Sequence, residues 1–267
     1  VYTLAGLGYL FRSPDAKARI IRALISPLLK HVLRAPNAYL IFQNPDDLSL
    51  MTRLGFAGHV NSILIRGSGV DLSRFNPVQE TLSDEPLVLM PTRLVHEKGV
   101  HIFVEAARLL KVGGVNARFQ IAGGETKHNP KAISKAEMME MTEDGAVQWL
   151  GRVEDIPALL SEAAIIVYPS YYGEGIPRVL LESCAAGRPV ITTDHAGCRE
   201  AVDEGKNGLL VPIKDVKATA EAIKTLLEDF EKRAAMGMKS REKAETEFDI
   251  NIIADETLAV YKTALKD

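Results

Sequence analysis

Short apolar runs alternate with helical patterns along most of the chain, and this alternation restricts the possible folds more than any other feature. Strands are predicted at 38–43, 60–66, 87–91, 117–122, 147–150, 165–169 and 189–193. Helices are predicted at 99–112, 131–141, 156–163 and 175–186. A further helix follows Asn44-Pro45, because Asn44 suits an N-cap and Pro45 suits the first helical position. Buried strands that alternate with helices indicate an α/β fold with a doubly wound parallel sheet.

The length of 267 residues exceeds that of one typical domain, so we expect a complete domain and an additional part. Residues 87–213 supply enough strands for one doubly wound domain, and the polar stretch 76–86 marks a boundary. The tail 215–266 is predicted to form consecutive helices, the last of which could pack on either part. We therefore divide the chain into the end of a preceding α/β domain (1–78), a complete Rossmann-like domain (79–248) and a C-terminal helix (249–267).

The composition excludes several classes of protein. The net charge is −3 with 25% charged residues, so we expect no nucleic-acid partner. Two cysteines, Cys184 and Cys198, exclude a disulfide framework and a Cys-rich zinc site, which favours a reducing, cytoplasmic location. No apolar run reaches the roughly 18 residues of a membrane span, and no signal peptide opens the chain. The oligomeric state stays open.

Charge is distributed unevenly. Residues 12–34 carry six Lys or Arg against one acid, Asp15, interleaved with Ile, Leu and Val. Such a segment can lie on an anionic membrane with its apolar side down. It can equally be a core-packed helix with a solvated basic edge, and Pro27 interrupts the helical pattern. Peripheral contact with an anionic membrane therefore stays one of two alternatives.

A first chemical signal is the pair Arg93 and Lys98, which follows the strand 87–91 and precedes a helix. In open α/β sheets, ligands bind at the carboxyl ends of the strands. Two cations in that position can hold a diphosphate, although they can also be ordinary surface charges. Gly123-Gly124 follows the next strand and either allows backbone to approach a ligand or forms a tight turn. It is not a complete G-x-G-x-x-G fingerprint, so a nicotinamide site is not supported.

The strongest signal is YPSYYGEGIPRVLLE at 168–182. We expect a helix to open at Gly175-Ile176-Pro177, with free backbone N–H groups that favour an anion. Glu174 precedes this helix, and Glu182 lies eight residues later, or about 12 Å along a helix. That distance is roughly the span from a sugar across a diphosphate to a ribose. The alternative is that Glu174 caps the helix and Glu182 is solvated.

These motifs together resemble the retaining GT-B glycosyltransferases of family 4 (glycosyl transferases group 1). The matching segments are GSGVDLSRFNP at 67–77, RLVHEKG at 93–99, LGRVEDIPALL at 150–160, EGIPRVLLE at 174–182, RPVITTDHAGCREAV at 188–202 and NGLLVP at 207–212. The E-x7-E pair with the upstream Arg and Lys is the specific part of this set. Within the family, YTLAGLGYLF at 2–11 and FQNPDD at 42–47 are similar to bacterial enzymes that extend undecaprenyl-diphosphate-linked glycans such as O-antigen and capsule.

The resemblance implies a role for each matching residue. Arg93 and Lys98 would stabilise the charge on the departing nucleoside diphosphate, and Glu182 would bind the ribose. Glu174 would hold the transferred sugar and the distal phosphate. The residues implied in contacts with the nucleotide sugar are Arg93, Lys98, Gly123, Arg152, Val153, Glu174, Gly175, Ile176, Pro177 and Glu182. The implied catalytic residues are Glu174, Arg93 and Lys98.

The resemblance also implies the reaction and its partners. The donor would be a nucleotide sugar, with UDP favoured, and the acceptor a lipid-linked or oligosaccharide chain at the inner face of the plasma membrane. No cofactor or divalent metal is expected, and the sequence holds no D-x-D pair for one. The transferred group would be a hexose or an N-acetylhexosamine. Alternatives are a nucleotide-sugar-binding fragment without activity, a GT-B epimerase and a phosphorylase.

The chain departs from the family pattern at one position. Many relatives carry a histidine near the donor sugar, where this chain has Ala5 or its neighbours. Either the subgroup works without it, or Tyr2 or Thr3 substitutes, or the alignment is shifted. The remaining candidates have ordinary interpretations: His96 and His101 lack a third metal ligand, and Cys184 is a small core residue rather than a nucleophile.

Overall fold

The computed structural model describes residues 1–13, 15–58, 61–78, 82–126 and 129–266. The strands are β1 (Tyr2–Leu4), β2 (Leu40–Phe42), β3 (Ser62–Leu64), β4 (Leu87–Pro91), β5 (Arg118–Ala122), β6 (Gln148–Trp149), β7 (Ile165–Tyr168), β8 (Val190–Thr193) and β9 (Gly208–Val211). The helices are α1 (Gly8–Arg12), α2 (Ala16–Leu33), α3 (Pro45–Arg53), α4 (Val100–Val112), α5 (Lys135–Met141), α6 (Ile156–Glu162), α7 (Arg178–Ala185), α8 (Val216–Glu228), α9 (Phe230–Lys243) and α10 (Ile250–Ala264). Residue 60 of a predicted strand, residues 79–81 of the predicted boundary and residue 267 lie outside the described residues.

The larger sheet has six parallel strands in the order β6-β5-β4-β7-β8-β9. This is the strand order of a doubly wound sheet, and its direction of winding reverses between β4 and β7. The prediction of an α/β fold with parallel sheets is confirmed. The reversal leaves a crevice at the carboxyl ends of β4 and β7, which is where ligands bind in such sheets.

The alternating residues of β4 show why this sheet is covered on both faces. Val88 and Met90 pack into a core with α4 and α8, while Leu87 and Leu89 pack into a second core with α7. Successive side chains of a strand point to opposite faces, so a strand buried on both faces must be apolar throughout. The run LVLMP therefore fits only a central position.

The smaller sheet has three parallel strands in the order β1-β2-β3. One face packs against α2 and α3 through Phe42, Leu33 and Met51. The other face receives α10, because Ile253 and Val260 pack with Ile41 and with Ile65 just beyond β3. Val70 ties α10 to the segment after β3, since its carbonyl accepts from the Ile250 N–H at 3.1 Å and its N–H donates to the Phe248 carbonyl just before α10 at 2.8 Å.

Local structure differs from the sequence predictions at several elements. The helix predicted at 131–141 begins only at Lys135, where the Ser134 side chain caps it by accepting from the Glu137 N–H. β1 and β9 were not predicted as strands; β1 is too short to form an apolar run, and Gly208 opens β9. Helix α7 begins at Arg178 rather than at residue 175, with Pro177 as its N-cap. The residues before it are not helical, and the Gly175 N–H among them donates to the segment after β1, as described below.

The basic segment forms the continuous helix α2, which runs through Pro27. Only Ala18 and Leu33 of this helix are buried, so most of its surface is accessible. One side of α2 packs on the core of the smaller sheet through Leu29 and Leu33, while the apolar residues Ile20, Leu24 and Leu28 remain exposed. Within the described residues, no helix combines the length and apolarity that crossing a bilayer requires.

Candidate functional site at the reversal of the sheet

Two loops meet at the crevice between β4 and β7. The first follows β4 and includes a short 3₁₀ turn, His96–Lys98, and the second follows β7. Gly99 adopts φ 80°, and any side chain there would overlap the Pro169 carbonyl. The Tyr171 N–H donates to the Glu97 carbonyl at 2.9 Å. A glycine at position 99 is therefore required for the first loop to lie against the second.

Lys98 and Glu174 form an ion pair across these two loops. The Lys98 side chain is 4% exposed and the Glu174 side chain 21%, so the pair lies mostly away from water. The Lys98 ammonium also lies 5.4 Å from the centre of the Tyr168 ring and 5.8 Å from that of Tyr172. A buried cation needs such partners, because an unpaired charge in the protein interior is strongly destabilising.

Arg93 lies between two neighbouring cavities. One cavity of about 310 Å³ is lined by Arg93, Lys98, Lys131 and Tyr172, among others. The other, of about 260 Å³, is lined by Arg93, Gly123 and Glu182 together with Arg152 and Val153. The structure thus brings Arg93, Lys98, Glu174 and Glu182 to one edge of the sheet, as the sequence predicts for adjacent carboxyl ends.

Glu182 faces the second cavity from helix α7. It is 18% exposed and accepts a hydrogen bond from Nε of Arg178, one turn earlier, at 2.9 Å. Arg178 is 67% exposed, and an ion pair with such a side chain contributes little free energy. Glu182 therefore retains acceptor capacity toward the cavity, where hydroxyl groups of a ligand could donate to it.

For Gly123-Gly124, after β5, the sequence left open whether the pair forms a tight turn or lets backbone approach a ligand. Gly123 donates its N–H to the Gly151 carbonyl at 2.8 Å, and a side chain there would overlap the Thr92 carbonyl. Gly124 lies close to Arg152: a Cβ placed on this glycine would be 3.2 Å from the Cβ of Arg152. Both glycines line the second cavity, so the tight packing and the close approach to a ligand occur together.

The backbone before α7 differs from the expectation of free N–H groups. The Gly175 N–H donates to the Ala5 carbonyl at 2.9 Å, so the smaller sheet occupies this donor. Ile176 is 6% exposed and packs in the core beside α7. Pro177 accepts from the Leu180 N–H at 2.9 Å and lines neither of the two cavities described above. These three residues are thus placed against protein rather than against the cavities.

The titratable groups around the site have shifted pKa values. Burial raises the pKa of Tyr168 well above its ordinary value, and the nearby Glu174 carboxylate raises it further. Burial lowers the pKa of His101, and the neighbouring His96 and Lys214 act in the same direction. His96 lies 3.4 Å from the Glu137 carboxylate. Across the described ranges, no group of three or more His, Cys, Asp or Glu has the arrangement of a metal site.

Comparison with known proteins identifies the family. A family model described as glycosyl transferases group 1 matches residues 73–243. The chain belongs to this family. A related N-acetylgalactosaminyltransferase of Campylobacter jejuni, named for its substrate N,N'-diacetylbacillosaminyl-diphospho-undecaprenol, is 32% identical and matches 98% of this chain and 70% of its own length. The capsular polysaccharide glycosyltransferase CapM of Staphylococcus aureus is 28% identical, with 91% of this chain matched to 61% of CapM.

Solved structures show the same fold. Sucrose-phosphate synthase of Thermosynechococcus elongatus superposes with a TM-score of 0.83 and 25% identity, over 99% of this chain and 67% of that one. Anabaena HepE, solved in complex with UDP, superposes with a TM-score of 0.79 and 19% identity over 98% of this chain and 71% of HepE. The chain therefore has the GT-B glycosyltransferase fold, over about 70% of the length of these structures.

Two further residues, Arg12 and Asn44, contact the second loop of the site, although the sequence analysis did not select them as site residues. Arg12 forms an ion pair with the buried Asp47 and packs over Gly173, where a side chain would overlap it. Asn44 caps α3 by accepting from the Asp47 N–H at 2.8 Å and extends its amide to the Glu174 carbonyl at 3.4 Å. The motif FQNPDD contained Asn44 and Asp47, but nothing in its spacing indicated contact with a loop 130 residues away from Asn44.

Proposed function

We propose that this chain transfers a sugar, with retention of configuration, from a UDP-sugar to a lipid-linked or oligosaccharide acceptor in bacterial cell-surface glycan synthesis. One observation carries the proposal. Arg93 lines both cavities at the sheet reversal, with Lys98 on one side and Glu182 on the other. A nucleotide sugar has its diphosphate between its sugar and its ribose, and this arrangement of cations between carboxylates matches that order.

The charges at the site support a step in which a diphosphate leaves. The bond between the sugar C1 and the diphosphate oxygen breaks, and its electron pair stays on the diphosphate. The acceptor hydroxyl oxygen bonds to C1 and releases its proton to the departing phosphate or to water. Arg93 and Lys98 would stabilise the negative charge that develops on the diphosphate, from positions that protein packing has already fixed.

Donor binding would change the partner of Lys98. In the present structure its ammonium is paired with Glu174. A bound diphosphate would share this ammonium and leave the Glu174 carboxylate available to sugar hydroxyls. Glu182 would accept hydrogen bonds from the ribose, and Arg152 and Val153 would border the base in the same cavity.

The relatives support the type of substrate. The Campylobacter relative is named for an undecaprenol-linked diphosphate acceptor and an N-acetylgalactosaminyl group. The CapM relative is named for capsular polysaccharide, and HepE was solved with UDP. We infer a UDP-linked hexose or N-acetylhexosamine as donor, a polyprenyl-diphosphate-linked glycan as acceptor, and a reaction at the cytoplasmic side of the membrane.

Product analysis tests the proposal. The full chain is incubated with a panel of UDP-hexoses and UDP-N-acetylhexosamines, with a polyprenyl-diphosphate-linked sugar as acceptor. The expected result is a new α-linked product from an α-linked donor, detected by mass and by the anomeric coupling in NMR. Glu174→Gln and Lys98→Met should reduce turnover by at least about 100-fold because each loses a charge at the reacting diphosphate or sugar.

The outcomes separate the alternative functions. UDP binding without transfer would support a nucleotide-sugar-binding fragment and contradict the transferase. Conversion of the UDP-sugar into its epimer, with no acceptor consumed, would support the epimerase instead. An inverted product would contradict the retaining chemistry that the family resemblance implies.

A further inference from the structure

Helix α2 carries an exposed apolar stripe formed by Ile20, Ile21, Leu24 and Leu28. These side chains are 61%, 37%, 76% and 68% exposed. Spacings of three, four and seven or eight residues place them on one face of the helix. The buried residues of α2, Ala18 and Leu33, belong to the opposite side. Exposed aliphatic side chains are common singly, but a continuous stripe of four indicates a surface that is covered by something.

The surroundings of the stripe carry charge of one sign. Residues 16–45 contain no Asp or Glu. Lys17, Arg19 and Arg34 are exposed at the two ends of the helix. The other two cations in this range have internal contacts: Arg22 donates to the Phe11 carbonyl at 2.9 Å, and Lys30 lies 5.3 Å from the centre of the Phe56 ring. Lys17 precedes Ile20 by three residues and Leu24 by seven, so it shares the face of the stripe. Arg19 instead lines a groove with Lys30 and Phe56.

The helix is held firmly enough to present this stripe. It continues through Pro27, and Ser26 in the same turn donates its hydroxyl to the Arg22 carbonyl at 2.5 Å. Leu33 packs into the core of the smaller sheet, and Leu29 packs against the same core. The stripe is thus a fixed surface on a folded helix rather than a segment that must fold on binding.

We propose that this face of α2 binds an anionic lipid bilayer, with Ile20, Leu24 and Leu28 inserted among the acyl chains near the headgroups. Lys17 and Arg34, one at each end of the helix, then lie at the level of the lipid phosphates. Apolar burial and the attraction of several cations to an anionic surface together give stable but reversible binding. The proposal concerns a surface outside the two cavities and does not depend on which sugar is transferred.

The charge pattern favours a bilayer over a second copy of the chain. A symmetric dimer through this face would bring the same exposed cations of both copies together, which is unfavourable. An anionic bilayer instead neutralises all of them at once. The bilayer also fits the narrow width of the stripe, because inserted side chains need no complementary groove.

The position of α2 links membrane binding to the candidate site. Helix α1 ends at Arg12, four residues before α2 begins, and Arg12 packs over Gly173 beside Glu174. A membrane-bound α2 therefore holds the second loop of the site close to the bilayer. An acceptor whose diphosphate anchor lies at the headgroups would be presented to this crevice.

Vesicle flotation of the full chain tests the proposal without any donor or acceptor. Vesicles of phosphatidylcholine with phosphatidylglycerol are compared with vesicles of phosphatidylcholine alone. The expected result is flotation with the anionic vesicles that weakens as salt is raised, and little flotation with the neutral ones. Leu24→Glu with Leu28→Glu should reduce partitioning by at least about tenfold, since two inserted side chains are lost and two repelled charges are added.

A matched double variant controls for added charge. Leu109 and Val112 are 48% and 89% exposed on α4, which covers the other sheet, so Leu109→Glu with Val112→Glu makes the same change elsewhere. This control should float like the wild type. Circular dichroism and thermal melting confirm that both variants fold, as expected for exposed positions.

Three results would overturn the proposal. One is absence of flotation with anionic vesicles. Another is an equal loss in the α4 control variant. The last is a dimer in light scattering that the Leu24→Glu, Leu28→Glu variant dissociates while flotation is unaffected, which would assign the stripe to a second copy.

Discussion

Lys98 and Glu174 lie 76 residues apart in the sequence and form an ion pair where the winding of the six-stranded sheet reverses. Lys98 comes from the loop after β4 and Glu174 from the loop after β7, the two strands on either side of the reversal. The pair joins the loops that line the first cavity. It thus contributes both to holding these loops together and to the charge that faces the cavity.

The first prediction concerns the strength of this pair. Lys98→Met and Glu174→Gln, alone and together, should show a coupling of about 1–3 kcal/mol in the free energy of unfolding, because the pair is mostly shielded from water. Urea titration of the four proteins measures it. The exposed pair Lys239 and Glu242 is the control, since both side chains are more than half exposed, and its coupling should stay below about 0.5 kcal/mol. Equal coupling energies for the Lys98–Glu174 and Lys239–Glu242 pairs would show that burial does not strengthen the ion pair at the site.

A second prediction concerns Gly197, which lies in the loop after β8 against the loop after β7. Gly197 adopts φ 81°, and a side chain there would overlap the Gly175 carbonyl. Gly145 has a similar φ of 71° but open space around it. Gly145→Ala should therefore cost about 1 kcal/mol for backbone strain alone, whereas Gly197→Ala should cost at least about 2 kcal/mol more. Urea midpoints compare the two; equal losses would contradict the close packing at Gly175.

The cysteines provide a third prediction. Burial raises the pKa of Cys184 to about 12 and that of Cys198 to about 11. Because the thiolate is the reactive form, both should react with a disulfide reagent at least about 100-fold more slowly in the native protein than in denaturant. A colorimetric thiol assay with and without urea measures the rates. Rapid native reaction of either thiol would show that its side chain is accessible.

A fourth prediction concerns pH. Burial lowers the pKa of His195. The positive charges of Arg12 and Arg199 lower this pKa further, while the Asp46 carboxylate raises it. The unfolded chain thus takes up a proton near the ordinary histidine value of about 6.5, where the folded chain does not, so stability falls as pH drops below that value. His195→Asn should lose part of this slope, as measured by thermal midpoints across a pH series. The same dependence of the thermal midpoint on pH in the variant and the wild type would contradict the lowered pKa of His195.

The sequence was sufficient for the class of fold because the central strands leave little choice. A run such as LVLMP, apolar at every position, requires a parallel sheet with helices on both faces, and β4 occupies that place. Asn44-Pro45 likewise predicted the start of α3, since its cap geometry is local. The order of the strands, by contrast, depends on packing between distant segments and did not follow from local patterns.

The site was predicted in part for the same reason. Arg93, Lys98 and Glu174 follow strand ends, so the carboxyl edge of a parallel sheet brings them together. The Gly175 N–H could not be predicted to be occupied, because its acceptor at Ala5 lies 170 residues earlier in another sheet. The burial of Lys98 could not be predicted either, because a lysine is ordinarily exposed. Its burial depends on Tyr168 and Tyr172, whose rings pack around the ammonium.

We propose that one nucleoside diphosphate spans the two cavities beside Arg93. Calorimetric titration of UDP into the full chain tests this directly. We expect the wild type to bind UDP and Arg93→Ala, Lys98→Ala and Glu182→Ala each to weaken binding by about tenfold or more, because each removes a charge-assisted contact. Arg178→Ala, which removes only the exposed partner of Glu182, should bind as the wild type does. Absence of UDP binding, or three variants that bind as tightly as the wild type, would show that these cavities do not hold a nucleoside diphosphate.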